Sequence, residues 1–162
     1  MTQSRQQGFS LVELLIVVVL ASILIAVGLP GYGSYRKSLL KWQVREQLLQ
    51  DLRGARQAAI TRHIPVMVVF GNGVANTNLT TYSVHTDLNA DGVAQAGEPR
   101  TLKKLPKGGV LTLVQLTPND SLKFDTSGLL RAGSNGGRLI FSTKAGLRDT
   151  VLVSVAGLAY HP

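Results

Sequence analysis

The longest apolar run of the chain is Phe9–Leu29, FSLVELLIVVVLASILIAVGL, and it carries a single charge, Glu13. Val, Ile and Leu fall on every side of a helical projection, so the run has no polar face. At about 1.5 Å per residue it spans roughly 30 Å as a helix, the thickness of bilayer hydrocarbon. The pattern predicts a transmembrane helix over 9–29, or else the apolar core of a secretory signal, for which Ala26-Val27-Gly28 offers a small-x-small cleavage site. Glu13 argues against the signal. A carboxylate deep in an apolar helix costs about 2.5–3.5 kcal/mol, less near an interface, and a disposable segment has no use for it.

Past the span, Gly28-Leu-Pro-Gly-Tyr-Gly33 interrupts the run. Pro30 removes a backbone donor and the glycines lower helix propensity, so a kink or local unwinding is expected there. Helical spacing then resumes, with Tyr35, Leu39, Trp42, Leu49, Leu52, Ala55 and Ala59 forming one apolar stripe and most basic residues elsewhere. This predicts an amphipathic helix over 30–63, ended near His63 because Pro65 disfavours helix in the residue before it. From Pro65 the pattern changes to short β-type runs: 65–70, 80–85, 102–105, 110–116, 121–124, 138–142 and 150–155. Gly71-Asn72-Gly73 and the pairs Gly108-Gly109 and Gly136-Gly137 read as turns between them. The expected fold is α+β: a long N-terminal helix, half transmembrane and half amphipathic, packed on an antiparallel sheet or sandwich domain over 64–162.

Charge and composition sharpen this picture. The net charge of +8 and pI near 10.2 favour acidic partners such as nucleic acid, anionic headgroups or an acidic protein face. The basic residues are spread along the chain, however, and most of the aromatics are needed for the core. The chain has no cysteine, which excludes catalytic thiols, CxxC zinc sites and disulfides. His63, His85 and His161 are scattered, with no serine or carboxylate at a telling spacing. An enzyme is not expected. Arg36, Lys37, Lys41 and Arg45 follow the span and only Arg5 precedes it, so a count of flanking positive charges would leave the C-terminal domain in the cytoplasm.

Residues 1–8 are polar, and Gly8-Phe-Ser-Leu-Val-Glu13 joins them to the apolar run. This hexapeptide resembles the class III signal of type IV pilins and of the pseudopilins of type II secretion. The resemblance implies that 1–8 is a leader, cut between Gly8 and Phe9 by a membrane prepilin peptidase that also methylates the new amino terminus. It further implies a single-pass protein of the bacterial inner membrane, with the C-terminal domain on its outer face, against the charge count. Phe9 and Glu13 are four apart and share a helix face, so an ammonium at Phe9 and the Glu13 carboxylate can pair, which makes the charge tolerable in an apolar setting. In the family, Glu13 of an incoming subunit would attract the amino terminus of a neighbour and set its axial register.

Beyond the leader, Asp87-Leu-Asn-Ala-Asp-Gly92, Gly97-Glu98, Leu102, Phe124-Asp-Thr-Ser-Gly128 and Val151-Leu-Val-Ser-Val-Ala-Gly157 are similar to the GspH/FimT family of minor pilins and pseudopilins. This implies a structural subunit that primes or caps a pilus or secretion pseudopilus, with the peptidase, other pilin or pseudopilin subunits and the inner membrane as partners. Some FimT proteins bind DNA through an arginine-bearing tail after the final glycine, and a DNA receptor for natural transformation is the alternative. Here Gly157 is followed by Leu-Ala-Tyr-His-Pro, without arginine.

A third alternative is a membrane-anchored calcium-binding domain outside any fibre. No cofactor is required by the pilin reading, but Asp87–Glu98 fits D-x-[DN]-x-[DN]-G-x5-E, a twelve-residue calcium loop. Asp87, Asn89 and Asp91 supply side-chain oxygens, Val93 a carbonyl, Gln95 a direct or water-mediated ligand and Glu98 a bidentate carboxylate. The competing reading is a polar turn whose Asp and Asn cap backbone donors.

Overall fold

The structure, a computed structural model, describes residues 9–71, 78–116 and 121–162, without the side chains at 29, 30 and 113. The leader 1–8, with Gly8, and most of the expected Gly71–Gly73 turn lie outside the described residues. One helix, α1 (Leu11–Arg62), is followed by eight strands: β1 (Val66–Val69), β2 (Thr81–Thr86), β3 (Arg100–Lys104), β4 (Gly109–Leu116), β5 (Ser121–Phe124), β6 (Gly137–Thr143), β7 (Arg148–Val153) and β8 (Ala159–Tyr160). The fold is α+β, as the hydrophobic pattern predicts. By internal contacts the chain divides into two units, one ending at Arg36 and one over Lys37–Pro162.

Ser10 caps the start of α1. Its hydroxyl accepts from the Val12 amide at 3.3 Å and its carbonyl from the Leu14 amide at 3.2 Å. The Ser10-x-x-Glu13 spacing is that of a capping box, and Glu13 adds a negative charge in the first turn, where the helix dipole favours it. In this first unit the large apolar side chains from Phe9 to Val27 are exposed. The expected unwinding at Gly28–Gly33 is absent: α1 runs through it unbroken. A proline removes one helical hydrogen bond, and here the turn that follows is tied by Ser34 Oγ donating to the Gly31 carbonyl at 2.9 Å.

In the second unit, α1 buries Val44, Leu48, Leu49, Leu52, Ala55 and Ala59, with Leu40 packed beside them. The expected stripe is correct from Leu49 onward and out of phase before it. Trp42 is 52 % exposed, and Tyr35 and Leu39 are also exposed. The glycine at the start of β4 makes room for the observed phase. A Cβ on Gly109 would lie 2.4 Å from Val44 Cγ2, so the helix comes close here only with Val44 inward. The buried line then continues through residues 40, 44 and 48, one turn apart. α1 ends after Arg62, where His63 takes a left-handed φ of 53° ahead of Pro65.

The strands form two antiparallel four-stranded sheets, ordered β3-β2-β1-β5 and β4-β6-β7-β8. Val66–Val69 sits between β2 and β5, its residues facing Thr86–Ser83 on one side and Phe124–Ser121 on the other. Val66, Met67 and Val68, which alternate between the two faces of the sheet, are all buried, which accounts for the continuous apolar sequence. A register shift in β4 between Leu111 and Leu113 marks a bulge at Thr112, and the bridge Leu79–Leu111 joins the β1–β2 connection to β4. Helix and both sheets contribute to one core, with Phe70, Phe124, Phe141, Leu48, Leu111 and Leu139 fully buried within it. The seven expected strands are present with small boundary changes. β8 was not expected. It turns the Ala159–Tyr160 tail into an edge strand on β7.

Candidate functional site

The amino end carries the first set of predicted site residues. Phe9 is 80 % exposed directly before the cap, and Glu13 follows in the first turn of an apolar helix with no buried surface of its own. A carboxylate at this point has one internal use, helix capping, and one external use, pairing with a cation brought to it. The window of α1 near the amino terminus has the length and apolarity to cross a membrane, with a mean hydropathy of 2.9.

The second unit explains why its family-like motifs are there. Asp125, after β5, accepts at one oxygen from the Ser127 amide (2.9 Å), the Ser127 hydroxyl (2.6 Å) and the Leu129 amide (3.0 Å). Burial works to raise the Asp125 pKa, but these bonds outweigh it and hold the carboxyl below its usual range. The turn brings Gly128, at φ 78°, against Ile60, where a Cβ would lie 2.6 Å from Ile60 Cδ1. Arg56 Nε donates to the Gly128 carbonyl at 2.8 Å. Gly157, at φ 74°, backs onto the same place: its Cβ would meet the Gly128 oxygen at 2.8 Å and the Phe124 ring at 3.1 Å. The Phe124–Gly128 motif and the final glycine are thus one packing site that closes the tail over α1.

The polar groups along α1 are engaged as clamps. Asp51 accepts from Tyr82 Oη at 2.5 Å and pairs with Lys103 Nζ at 2.9 Å. Burial and that carboxylate push the Tyr82 phenol well above its ordinary pKa. Gln47 donates to the Lys104 carbonyl, and Arg53 to that of Ala159. On β7, Asp149 stands near Arg45 and Lys41, and His161 reaches it at 2.8 Å. Burial opposes the charge on Asp149, but the Thr150 amide, His161 and Lys41 overcome it and lower its pKa. His161 therefore sits on an ordered tail, and the three histidines are dispersed as the sequence predicts. Among the described residues no three carboxylates or imidazoles stand together as a ligand set.

The Asp87–Glu98 loop links β2 to β3. Asp87 is buried, and its Oδ2 accepts from the Gly92 amide at 2.8 Å. Asn89 Oδ1 accepts from the Asp91 amide (3.3 Å) and Asp91 Oδ1 from the Val93 amide (2.7 Å). Gln95 Nε2 donates to Asp91 Oδ2, and Glu98 accepts from the Leu88 and Gln95 amides, pulling the two ends of the loop together. Ala90 and Gly92 have φ of 56° and 76°, the left-handed steps of a tight coil. Arg131, from beyond β5, was not anticipated from sequence: its Nη1 donates to the Ala90 carbonyl at 2.8 Å and lies 3.7 Å from Asp87 Oδ2. Nothing in local spacing announces a contact made forty residues away.

Two family models match the chain. The prokaryotic N-terminal methylation motif covers residues 3–29, and the type II transport protein GspH covers residues 45–157. No curated protein and no solved structure matches it. The methylation motif and the apolar helix together describe a single-pass, membrane-anchored chain. The GspH match spans most of the second unit, from the buried half of α1 to Gly157. With that cover, the chain belongs to the GspH family, whose members are structural, non-enzymatic subunits of the pilin and pseudopilin type.

Proposed function

We propose that this chain is a minor subunit of a type IV pilus or type II secretion pseudopilus, cut by prepilin peptidase between Gly8 and Phe9, methylated at Phe9 and helping to prime or cap the fibre. The observation that carries the reading is the pairing of a methylation motif with an apolar helix whose large side chains from Phe9 to Val27 are all exposed among the described residues. In a bilayer, lipid covers that surface; after extraction from the membrane, the corresponding helices of other subunits would. Tyr35, Leu39 and Trp42 are exposed as well and suit packing of the same kind.

Glu13 has a defined task in this scheme. Inside a fibre its carboxylate is removed from water and needs a cation, and the Phe9 ammonium of the neighbouring subunit is the group that cleavage creates. Pairing at one point along otherwise featureless apolar helices fixes their axial offset. The C-terminal domain then lies on the outer face of the inner membrane before assembly. For the DNA-receptor alternative, six of the basic groups are already engaged: Lys41, Arg45, Lys103 and Arg131 face carboxylates, and Arg53 and Arg56 hold backbone carbonyls.

The test is incorporation. Glu13→Ala leaves the cleavage site and the apolar run intact, so the variant should insert and be processed. It should be strongly depleted from fibres, measured by cross-linking and by its abundance in sheared or purified fibres. Undiminished incorporation would remove the register role from Glu13.

A further inference from the structure

We infer that the Asp87–Glu98 loop is a calcium site, formed on oxygens of Asp87, Asn89, Asp91, Val93, Gln95 and Glu98. The sequence pattern gives the ligand types; the structure adds the carboxylate of Asp87. This side chain is 1 % exposed, and only its Oδ2 is used within the loop, by the Gly92 amide. Its Oδ1 is buried with no hydrogen-bond partner. A buried carboxylate oxygen left without a donor is costly unless a cation meets it. Oδ1 belongs to the first residue of the motif, the position that supplies the first ligand of a twelve-residue calcium loop.

The remaining groups lie in the same loop, most of them on exposed bonds. Asn89, Asp91 and Gln95 are exposed; Asn89 Oδ1 and Asp91 Oδ1 accept from backbone amides and Asp91 Oδ2 from the side-chain amides of Asn89 and Gln95, bonds that water replaces readily. Glu98 already spans the loop mouth, with one oxygen on Leu88 and the other on Gln95, so a bidentate closure needs rotation of the side chain and not a new backbone path. The left-handed Ala90 and Gly92 supply the sharp curvature. Only three ligands are acidic, and the carboxylates are not gathered as the loop stands. Binding therefore requires local closure.

Two cations border the loop and set its affinity. Arg131 Nη1 lies 3.7 Å from Asp87 Oδ2, and Lys123 Nζ lies 3.6 Å from where a Cβ on Gly92 would be. Both repel a divalent ion, and Arg131 satisfies part of the negative charge in its place. This points to the weak range of such loops, with a Kd of about 10⁻⁴–10⁻³ M. Calcium is favoured over magnesium because an irregular loop of mixed carboxylate, amide and carbonyl oxygens suits six to eight ligands and not a rigid octahedron. The inference does not depend on whether the chain enters a fibre.

The experiment uses the full chain in detergent, with calcium chloride as the probe. Calorimetric titration should show one saturable site per chain. The thermal midpoint should rise with calcium, approaching a hundred-fold gain in the folding constant at about one hundred times Kd. Asp91→Asn and Glu98→Gln, both outside the core, should fold normally in chelator and lose that rise. Arg131→Gln should bind calcium several-fold more tightly than the parent. A midpoint indifferent to calcium and to chelator, with no heat of binding, would overturn the assignment. So would a rise that magnesium reproduces in full, or one that survives in the Asp91 and Glu98 variants.

Discussion

Between Phe9 and Val27 the large apolar side chains of α1 are exposed, whereas between Val44 and Ala59 the same helix buries six apolar residues against two sheets. The composition of the two stretches explains the contrast. The first is apolar on all sides, with Glu13 its one charge and Ser10 and Ser22 bonded to the helix's own backbone, so it offers no polar groups to fasten it to a sheet. The second alternates a narrow apolar line with Gln47, Asp51, Arg53 and Arg56, each holding a sheet or loop group. One stretch is built to be covered by something else, and the other is already complete.

Substitutions in the two stretches should therefore behave differently. The largest effect is expected in the core: Leu48→Ala and Phe124→Ala should each cost about 3–5 kcal/mol, since both side chains are fully buried. Denaturant unfolding of the full chain in detergent, followed by the fluorescence of Trp42, measures this. Val17→Ala, of similar chemistry but exposed, should change the same transition by less than about 0.5 kcal/mol. Equal costs would break the comparison.

An intermediate effect is expected at the clamps. Asp51→Ala removes the acceptor of the buried Tyr82 hydroxyl and the partner of Lys103, for a loss of about 1–3 kcal/mol by the same unfolding measurement. Asp51→Asn, which keeps an acceptor oxygen, should recover part of it.

The position of these clamps shows what was legible in the sequence. The apolar run, the Gly8–Glu13 motif and the seven principal strands follow from local composition and spacing, which a one-dimensional pattern carries fully. The phase of the amphipathic stripe before Leu49 did not, because Tyr35, Leu39 and Trp42 fit helical spacing as well as Leu40, Val44 and Leu48 do. The observed choice relies on a tertiary contact, the close approach of Gly109 sixty-five residues beyond Val44. β8 is only two residues long and has no period to detect. In the Asp87–Glu98 loop the order of oxygen-bearing side chains was readable, while the burial of Asp87 and the arrival of Arg131 are products of tertiary packing.

A smaller effect is expected from pH. Asp125 and Asp149 have carboxyl pKa values lowered in the fold, so each binds protons less readily folded than unfolded. Their contribution is present above the ordinary carboxylate pKa, near 3.8, and is lost as pH falls through the lowered values. Stability should thus decline on acidification below about pH 4, and Asp149→Asn should flatten part of that decline in midpoints recorded from pH 2 to 7. The smallest effect is expected for nucleic acid. At physiological salt, anisotropy with labelled duplex DNA should show little binding by the full chain, and any signal at low salt should fall steeply as salt rises. Submicromolar binding at physiological salt would mean that the charge of +8 serves a receptor.

The reading of the exposed helix as a fibre-forming segment requires that the first eight residues be removed, and the intact mass of the chain extracted from its native membrane tests this most directly. The account predicts a mature protein that begins at Phe9, carries one added methyl group on its amino terminus and has lost Arg5 with the leader. A chain that retains Met1, or one that begins at Leu29 after cleavage behind the apolar run, would contradict it.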